Sequence, residues 1–588
     1  MTLYTLVGRF AWRHRRAYAG AALMLAVIAV LTVWIPRRIG LVIDGLVADR
    51  LTGAALAWEI AVLLAMGGAI YLLRVGWRIA LFSAAFRLGI EMRTALYRRL
   101  TLQGPAFFHA QRTGDLMALA TNDVDAIEMA AGEGFLAGFD GTLTLVLVVA
   151  MMTLGVDWRL GVVALLPFPL MALAFWRIST EVHDAWRASL DRFSELNEHV
   201  QETMAAVRTL RALGLEGRAA GEFAARAERA AARSFDAQKW EAAYEPAVGI
   251  TLTLASVLTL SLGGYLVWHG EITIGTLTAF TMYLTQLIWP MFATGWVLSL
   301  IERGKAAWER LDPVLQAPLT MADGGTLDRD PAGDVVFAGV DFTYPGAGGA
   351  DAEARRPALR DVDLVVPPGH TLGVVGPTGA GKSTLLHLLL RHYEPGAGTI
   401  AWGGEPIAAF PLAALRRSMA WVPQEPFLFS ASIAENIALA RADATRDEIE
   451  AAARMADLHA DVVRFPGGYD TLVGERGVTL SGGQRQRVAI ARALLARAPL
   501  LLLDDALSAV DTGTEARILA HLRAARDGRT AIIVSHRLSA VMDAHEIVVL
   551  RDGAIIERGA HDDLLRAEGW YAAQWRYQQL EASLEDAA

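Results

Sequence analysis

A chain of 588 residues is too long for one hydrophobic core, so at least two domains are expected. Hydrophobic residues make up 54%, charged residues only 20%, and the mean hydropathy is +0.33, which excludes a wholly water-soluble protein and places part of the chain in lipid. The net charge of −9 argues against a nucleic-acid partner, and the lack of cysteine excludes disulfides and thiolate metal sites.

The apolar runs cluster in the first half. Residues 17–35 form a stretch of 19 without a charge, about 28 Å as a helix and close to the hydrocarbon thickness of a bilayer. Arg9, Arg13, Arg15 and Arg16 precede it and no small-residue cleavage site follows, so it reads as a retained anchor rather than a signal peptide. Further spans are expected at 54–73, 134–156, 160–176, 248–268 and 274–301, six in all. Spans 1–2, 3–4 and 5–6 are joined by short links. Spans 2–3 and 4–5 are joined by Arg-rich stretches of about 60 and 70 residues. The first carries Arg87, Arg93, Arg98, Arg99 and Arg112, the second Arg187, Arg192, Arg208, Arg211 and Arg218. With six spans, the basic N-terminus and both long stretches fall on one side, and the excess of arginine makes that side cytoplasmic.

The long stretches are rich in Ala, Leu, Glu and Arg, and 177–244 contains no proline, so spans 2–5 are expected to continue as helices beyond the membrane. Breaks that could form short lateral helices fall near Arg112-Thr-Gly-Asp115 and Leu213-Gly-Leu-Glu216. Asp44, Arg74, Arg78, Glu133, Asp140 and Glu245 lie in or beside spans. A central charge in lipid costs roughly 2.5–3.5 kcal/mol, so each either pairs structurally or lines a polar pathway. Trp289-Pro290 predicts a packing kink in span 6.

After residue 316 the pattern changes. A Pro-, Gly- and Asp-containing stretch reads as a linker, and short apolar runs separated by turns then give an α/β pattern. Residues 334–344 are expected to form an edge strand. Gly376-Pro377-Thr378-Gly379-Ala380-Gly381-Lys382-Ser383-Thr384 matches the phosphate-loop pattern between an apolar run, 371–375, and a helical one, 385–390. Its glycines let backbone N–H groups turn inward around phosphate oxygens at a helix N-terminus. Lys382 would reach the β- and γ-phosphates and the Ser383 hydroxyl would ligate Mg²⁺. The chain has three lysines, Lys239, Lys305 and Lys382, so this one does not come from a lysine-rich background. Leu500-Leu-Leu-Leu-Asp504 reads as a buried strand ending in a carboxylate for the Mg²⁺ shell, and a further strand, 531–535, ends at His536.

Between them lies Leu480-Ser-Gly-Gly-Gln-Arg-Gln-Arg487, which resembles the signature of ATP-binding cassette (ABC) proteins. Other elements of that family follow in its order. Tyr344 is similar to the aromatic that stacks on adenine, and Gln424 to the glutamine that reaches Mg²⁺ and faces the membrane domain. Val473-Gly-Glu-Arg-Gly477 resembles the exporter-specific loop, Ser508-Ala-Val-Asp511 the D-loop, and His536 the switch histidine. With six N-terminal spans, the chain resembles an exporter-type ABC half-transporter along its whole length. The resemblance implies an α-helical transmembrane domain of the type I exporter fold at 1–315, a linker at 316–333, an α/β P-loop ATPase domain at 334–570 and a helical tail at 571–588.

It also implies ATP and Mg²⁺ as cofactors. Tyr344, Gly376, Thr378, Gly379, Gly381, Lys382, Ser383 and Thr384 would bind the nucleotide of the chain's own site. Ser481, Gly483 and Gln484 would meet the nucleotide of a second half-transporter. Ser383, Gln424 and Asp504 would hold the metal, and Asp505, His536 and Gln424 would serve catalysis. At Asp505 this chain departs from the family, which usually has Glu there as the base that polarises water. The shorter side chain implies a site that binds ATP and hydrolyses it slowly, and hence a heterodimer whose partner carries Glu. Arg112-Thr-Gly-Asp-Leu-Met-Ala, Ala120-Thr-Asn-Asp-Val-Asp125, Ala130-Ala-Gly-Glu-Gly134, residues 504–511 and the tail Tyr577-Gln-Gln-Leu-Glu-Ala resemble the A subunits of MdlA/MdlB-type bacterial heterodimeric multidrug transporters. That implies export of amphipathic small molecules from a bacterial inner membrane, with the N-terminus and the ATPase domain cytoplasmic. A lipid or peptide exporter, a siderophore transporter of the same fold, and an ATP-gated channel or regulator stay open.

Overall fold

The computed structural model describes residues 2–345, 356–474, 480–524 and 529–587. The chain forms two compact units. One comprises Met1–Arg98 and Met117–Gln316, the other Arg99–Leu116 and Ala317–Ala588.

The first unit is all helix. Six helices are long and apolar enough to cross a membrane: Arg15–Val47, Ala54–Thr101, Thr113–Val156, Trp158–Ala205, Glu216–Trp268 and Ile274–Gln316. The expected spans fall one in each, and the helices run well past them, as the Ala/Leu/Glu/Arg composition predicts. Their apolar residues do not all turn inward: Leu64, Leu72, Trp176 and Leu298 are exposed, and Leu154 and Trp268 are each 87% exposed. Apolar surface on this scale marks faces that meet lipid or another protein. Asp157 caps the short link between the third and fourth helices by accepting from the amides of Arg159 and Leu160. At the last link, Asp44 accepts from Thr273 Oγ1 at 2.6 Å and from the Gly275 amide at 2.8 Å, so a carboxylate sits on a helix N-terminus. Gly40 and Gly275 make that approach close: a Cβ on Gly40 would stand 2.5 Å from the Gly275 carbonyl oxygen. Asp140 accepts from Trp289 Nε1 at 3.2 Å. Both acids are therefore paired within the bundle. The sixth helix divides at Leu287, and Pro290 sits in the first turn of its second segment, where a missing N–H leaves no bond unmade.

The third helix contains three wider, π-type turns: Leu119–Asp123, Ala130–Gly134 and Met151–Val156. Each inserts extra backbone into a turn and rephases the residues beyond it. The first presents buried Asp123 to the Arg310 guanidinium, whose Nε donates at 3.0 Å.

In the second unit a four-stranded antiparallel sheet is built from β1 (Val335–Phe342), β2 (Leu359–Val366), β4 (Ala397–Trp402) and β5 (Glu405–Pro406) in the order β2-β1-β4-β5. β1 is thus an inner strand and not the expected edge strand. Its two neighbours arrive later in the chain, beyond the reach of a local pattern. A six-stranded sheet runs β10-β9-β3-β8-β7-β6, with β3 at Thr371–Val375, β6 at Met419–Val422, β7 at Leu500–Asp504, β8 at Thr530–Val534, β9 at Glu546–Arg551 and β10 at Ala554–Gly559. Only β10 is antiparallel to its neighbour. The continuous apolar runs of β3, β7 and β8 suit parallel strands covered on both faces. Alternate residues feed two cores: Leu372, Val374, Leu502 and Ile532 enter one, and Val375, Leu503 and Ile533 the other.

A short helix, Pro105–Ala110, belongs to this unit. It lies just before the break expected near Arg112, and proline fits its first position. Gln103 Nε2 donates to the Pro318 carbonyl at 3.2 Å and the Gly104 amide to Thr320 Oγ1 at 2.8 Å. Ala106 packs on the core. His109 Nδ1 and the Tyr393 hydroxyl are hydrogen-bonded at 2.7 Å with their rings stacked. A second short helix, Val207–Ala212, precedes the other expected break.

Candidate functional site

Three neighbouring parallel strands, β3, β8 and β7, deliver their carboxyl ends to one edge of the sheet, where ligands bind in open α/β folds. The loop 376–381 follows β3, Asp504 ends β7, and Ser535–His536 follow β8.

The loop is shaped by its glycines. Gly376 has φ 146°, and a Cβ there would stand 2.0 Å from the Leu550 carbonyl oxygen. Gly381, φ 100°, heads the helix Lys382–Leu389, and a Cβ on it would meet the Ala358 carbonyl oxygen at 2.2 Å. Pro377, Thr378 and Gly379 form the exposed tip. The result is a concave backbone turn ending on a helix N-terminus, which is the physical form of an anion cradle.

Lys382 is buried, and its Nζ donates to the carbonyls of Gly376 and Pro377 at 2.9 Å each, so the ammonium is held inside the loop. Burial lowers its pKa, while Asp505 and Asp504 oppose that shift. Ser383 Oγ donates to Asp504 Oδ1 at 2.8 Å. Burial raises the Asp504 pKa, the Ser383 bond works against it, and Asp505 adds to it. A hydroxyl and a carboxylate oxygen at this separation are a hard donor pair suited to Mg²⁺. Among the described residues no group of three or more His, Asp or Glu forms a closed metal cage.

Asp505 follows directly, 8% exposed and in the left-handed region at φ 46°. Its amide donates to the Val534 carbonyl at 2.9 Å, and its Oδ1 accepts a long bond, 3.4 Å, from the His536 amide. The pKa of His536 is lowered by burial and then by the Lys382 charge, with Asp505 and Asp504 opposing. Lys382, Ser383, Asp504, Asp505 and His536 thus form one electrostatic cluster. Gln424 stands exposed just beyond β6, the strand next to β7. Tyr344 is half-buried, its hydroxyl 3.1 Å from Thr384 Oγ1 and 3.3 Å from His387 Nδ1, with the ring edge-on to Tyr393.

The signature residues stand elsewhere. Ser481 caps the helix Gly482–Ala496 in a reciprocal capping box: its Oγ accepts from the Gln484 amide at 3.2 Å, and Gln484 Oε1 accepts from the Ser481 amide at 3.0 Å. Gly483 lies against the Ala509 carbonyl, where a Cβ would come within 2.8 Å. Glu475, Arg476 and Gly477 of the expected exporter-specific loop lie outside the described residues.

Two residues escaped sequence reasoning although both sat in quoted motifs. Gln486, buried behind the signature, donates to Ser508 Oγ at 3.0 Å and accepts from the Ala509 amide at 3.0 Å; Ser508 Oγ in turn donates to the Asp505 carbonyl. Gln578, in the tail motif, bonds to the loop after β8. Their partners are distant in sequence, and only the fold reveals them.

Six helices long and apolar enough to cross a membrane, joined to a phosphate-loop unit with a separate capped glycine helix, define an ATP-driven membrane transporter. The family models for the ABC transporter transmembrane region and the ABC transporter match residues 19–291 and 359–508. Among relatives, the multidrug resistance-like ATP-binding protein MdlA of Escherichia coli (strain K12) is 43% identical over 587 residues, all of this chain and 98% of that protein. The probable multidrug resistance ABC transporter ATP-binding/permease protein YheI of Bacillus subtilis (strain 168) is 35% identical over the full length of both. A solved structure of a bacterial Atm1-family ABC exporter with ATP bound superimposes with a TM-score of 0.78 at 29% identity, covering 96% of this chain and 98% of that one. The chain belongs to the ABC transporter family, as an exporter-type ATP-binding/permease protein similar to MdlA. It is a multi-pass membrane protein that couples ATP hydrolysis to transport.

Proposed function

We propose that this chain is the subunit of a heterodimeric exporter whose own ATP site is degenerate. The observation that carries the reading is Asp505. Its carboxylate follows the metal-binding Asp504 but is one methylene shorter than the family's Glu, while the signature helix is intact. Mg-ATP bound here brings the phosphoanhydride and the charge-neutralising cation. Tyr344 stacks the base; Gly376, Thr378, Gly379, Gly381 and Thr384 surround the phosphates with N–H and hydroxyl donors. Lys382 would supply positive charge, Ser383, Asp504 and Gln424 would hold Mg²⁺, and His536 would donate to the γ-phosphate. Asp505 orients water poorly, so the site clamps ATP rather than consuming it quickly. Ser481, Gly483 and Gln484 point a helix N-terminus at the partner's nucleotide, where hydrolysis is faster.

The names of MdlA and YheI support amphipathic small molecules as cargo. The arginine distribution supports a cytoplasmic N-terminus and ATPase unit in a bacterial inner membrane. The test is to purify the full chain alone and with its partner half-transporter, and to compare ATP turnover and uptake of a cationic dye into inverted vesicles. The mixed pair is expected to hydrolyse at least tenfold faster and to accumulate dye against a gradient. An isolated chain that dimerises and matches the mixed pair overturns the heterodimer. Passive flux with ATP bound would favour a channel.

A further inference from the structure

The tail motif Tyr577-Gln-Gln-Leu-Glu-Ala has no part in the function proposed above. It lies on the helix Trp570–Ala587, whose start is firmly seated. Glu557, on β10, accepts from the Trp570 and Tyr571 amides. Tyr571 is fully buried in the core, with its hydroxyl 2.8 Å from His561 Nδ1, and Trp575 packs on the His561 ring. Two turns on, the Gln578 carboxamide meets the loop after β8. Its Nε2 donates to the His536 carbonyl at 2.8 Å, and its Oε1 accepts from the Leu538 amide at 2.9 Å.

One planar amide thus bridges the carbonyl of residue 536 and the N–H of residue 538, as the edge of a neighbouring strand would. The loop is held from other directions too. Arg537 is paired with buried Glu515 and donates to the Val510 carbonyl at 3.0 Å, and the His536 amide makes its long bond to Asp505. Gln578 binds the carbonyl of the histidine itself. Rotation of that peptide unit would move the imidazole relative to Lys382 and Asp505.

We propose that Gln578 is a positioning residue for His536, and that through it the C-terminal helix governs the chemical step at this chain's nucleotide. The proposal rests on the reading of His536 as the group that meets the γ-phosphate. It predicts a loss in turnover with little loss in nucleotide affinity, because Tyr344 and the phosphate loop are untouched.

The experiment uses the full chain paired with a partner subunit whose own catalytic Glu is changed to Gln, in lipid nanodiscs with Mg-ATP as the probe, in an Asp505→Glu background so that turnover is read at this site alone. Gln578→Met keeps the side-chain length and removes both hydrogen bonds. It is expected to lower kcat roughly tenfold and to change KM for ATP less than about twofold. His536→Ala should lower kcat more, and adding Gln578→Met to it should cost nothing further. Hydrogen exchange at the Leu538 amide should accelerate in Gln578→Met while that of β7 stays unchanged. Additive losses, a kcat equal to the background, or unaltered Leu538 exchange would overturn the proposal. An Asp505→Glu chain no faster than wild type counts against the degenerate site instead, and the cycle is then read on the wild-type rate.

Discussion

Asp505→Glu tests directly whether the shorter carboxylate slows turnover at this site. The substitution adds one methylene, which advances the carboxylate by about 1.5 Å along the side chain. Displacement of a catalytic group by about 1 Å costs around 10²-fold in rate, or about 2.7 kcal/mol of barrier. Asp505 is nearly buried and its Oδ1 already receives a bond from the His536 amide, so the added volume must be accommodated. Overpacking costs about 1 kcal/mol or more. Offsetting the two leaves at most about 1.7 kcal/mol, a gain of roughly tenfold at this site. The assay is steady-state phosphate release by the full chain paired with a half-transporter whose own catalytic Glu has been changed to Gln, which isolates this site. Thermal denaturation of each variant controls for folding. An Asp505→Glu chain that folds with an unchanged melting temperature and hydrolyses no faster than wild type would refute the geometric argument.

Lys382→Met should weaken ATP binding to this chain at least tenfold, read by equilibrium dialysis, while lowering transport less than the same change in the partner. Glu515 is buried, paired with partly exposed Arg537 and bonded at 3.0 Å to Ser539, so Glu515→Ala should destabilise the ATPase unit by about 1.5 kcal/mol in denaturant titration. His392 is half-buried and its pKa falls from 6.5 to about 4, with desolvation the leading cause and His387 and Arg416 adding to it. The unfolded chain therefore takes up this proton first on acidification. The stabilisation is complete above pH 6.5 and is lost between there and about pH 4, on the order of 3 kcal/mol, and His392→Phe should flatten that part of the pH–stability curve. Tyr393→Phe removes the bond to His109, worth about 1 kcal/mol; it should reduce stimulation of ATPase activity by transported dye and leave KM for ATP unchanged.

What the sequence makes legible is what is written in contiguous residues. The phosphate loop could be read because its strand, glycines, lysine and helix adjoin, and the spans because lipid asks for an unbroken apolar run. Ser383 and Asp504 could be paired before the fold was known, because each ends its own recognisable strand–loop element. The position of β1 could not, since one neighbour, β4, pairs across some sixty residues of intervening chain. The three wide turns of the third helix leave no mark on composition: Ala-Ala-Gly-Glu-Gly is as compatible with an ordinary α-turn. Gln578 could be noticed in the tail but given no role, because its partners are a carbonyl and an amide, which every residue possesses.

The union of Arg99–Leu116 with the ATPase unit bears on biogenesis. The ribosome completes Gln103 and Arg99 more than two hundred residues before the carbonyls they bind, since Arg99 and Ala317 are 218 positions apart. The short helix at Pro105–Ala110 must wait, already tethered to a membrane-inserted helix, until its docking surface has been synthesised. Closing so long a loop in free chain is entropically costly, but membrane insertion of the intervening helices shortens the search. The ATPase unit should therefore acquire its last native contacts only after the membrane helices are in place. A fragment beginning at Ala317 would lack a piece of its own surface, leaving Tyr393 and Thr320 without the bonds that His109 and Gly104 provide.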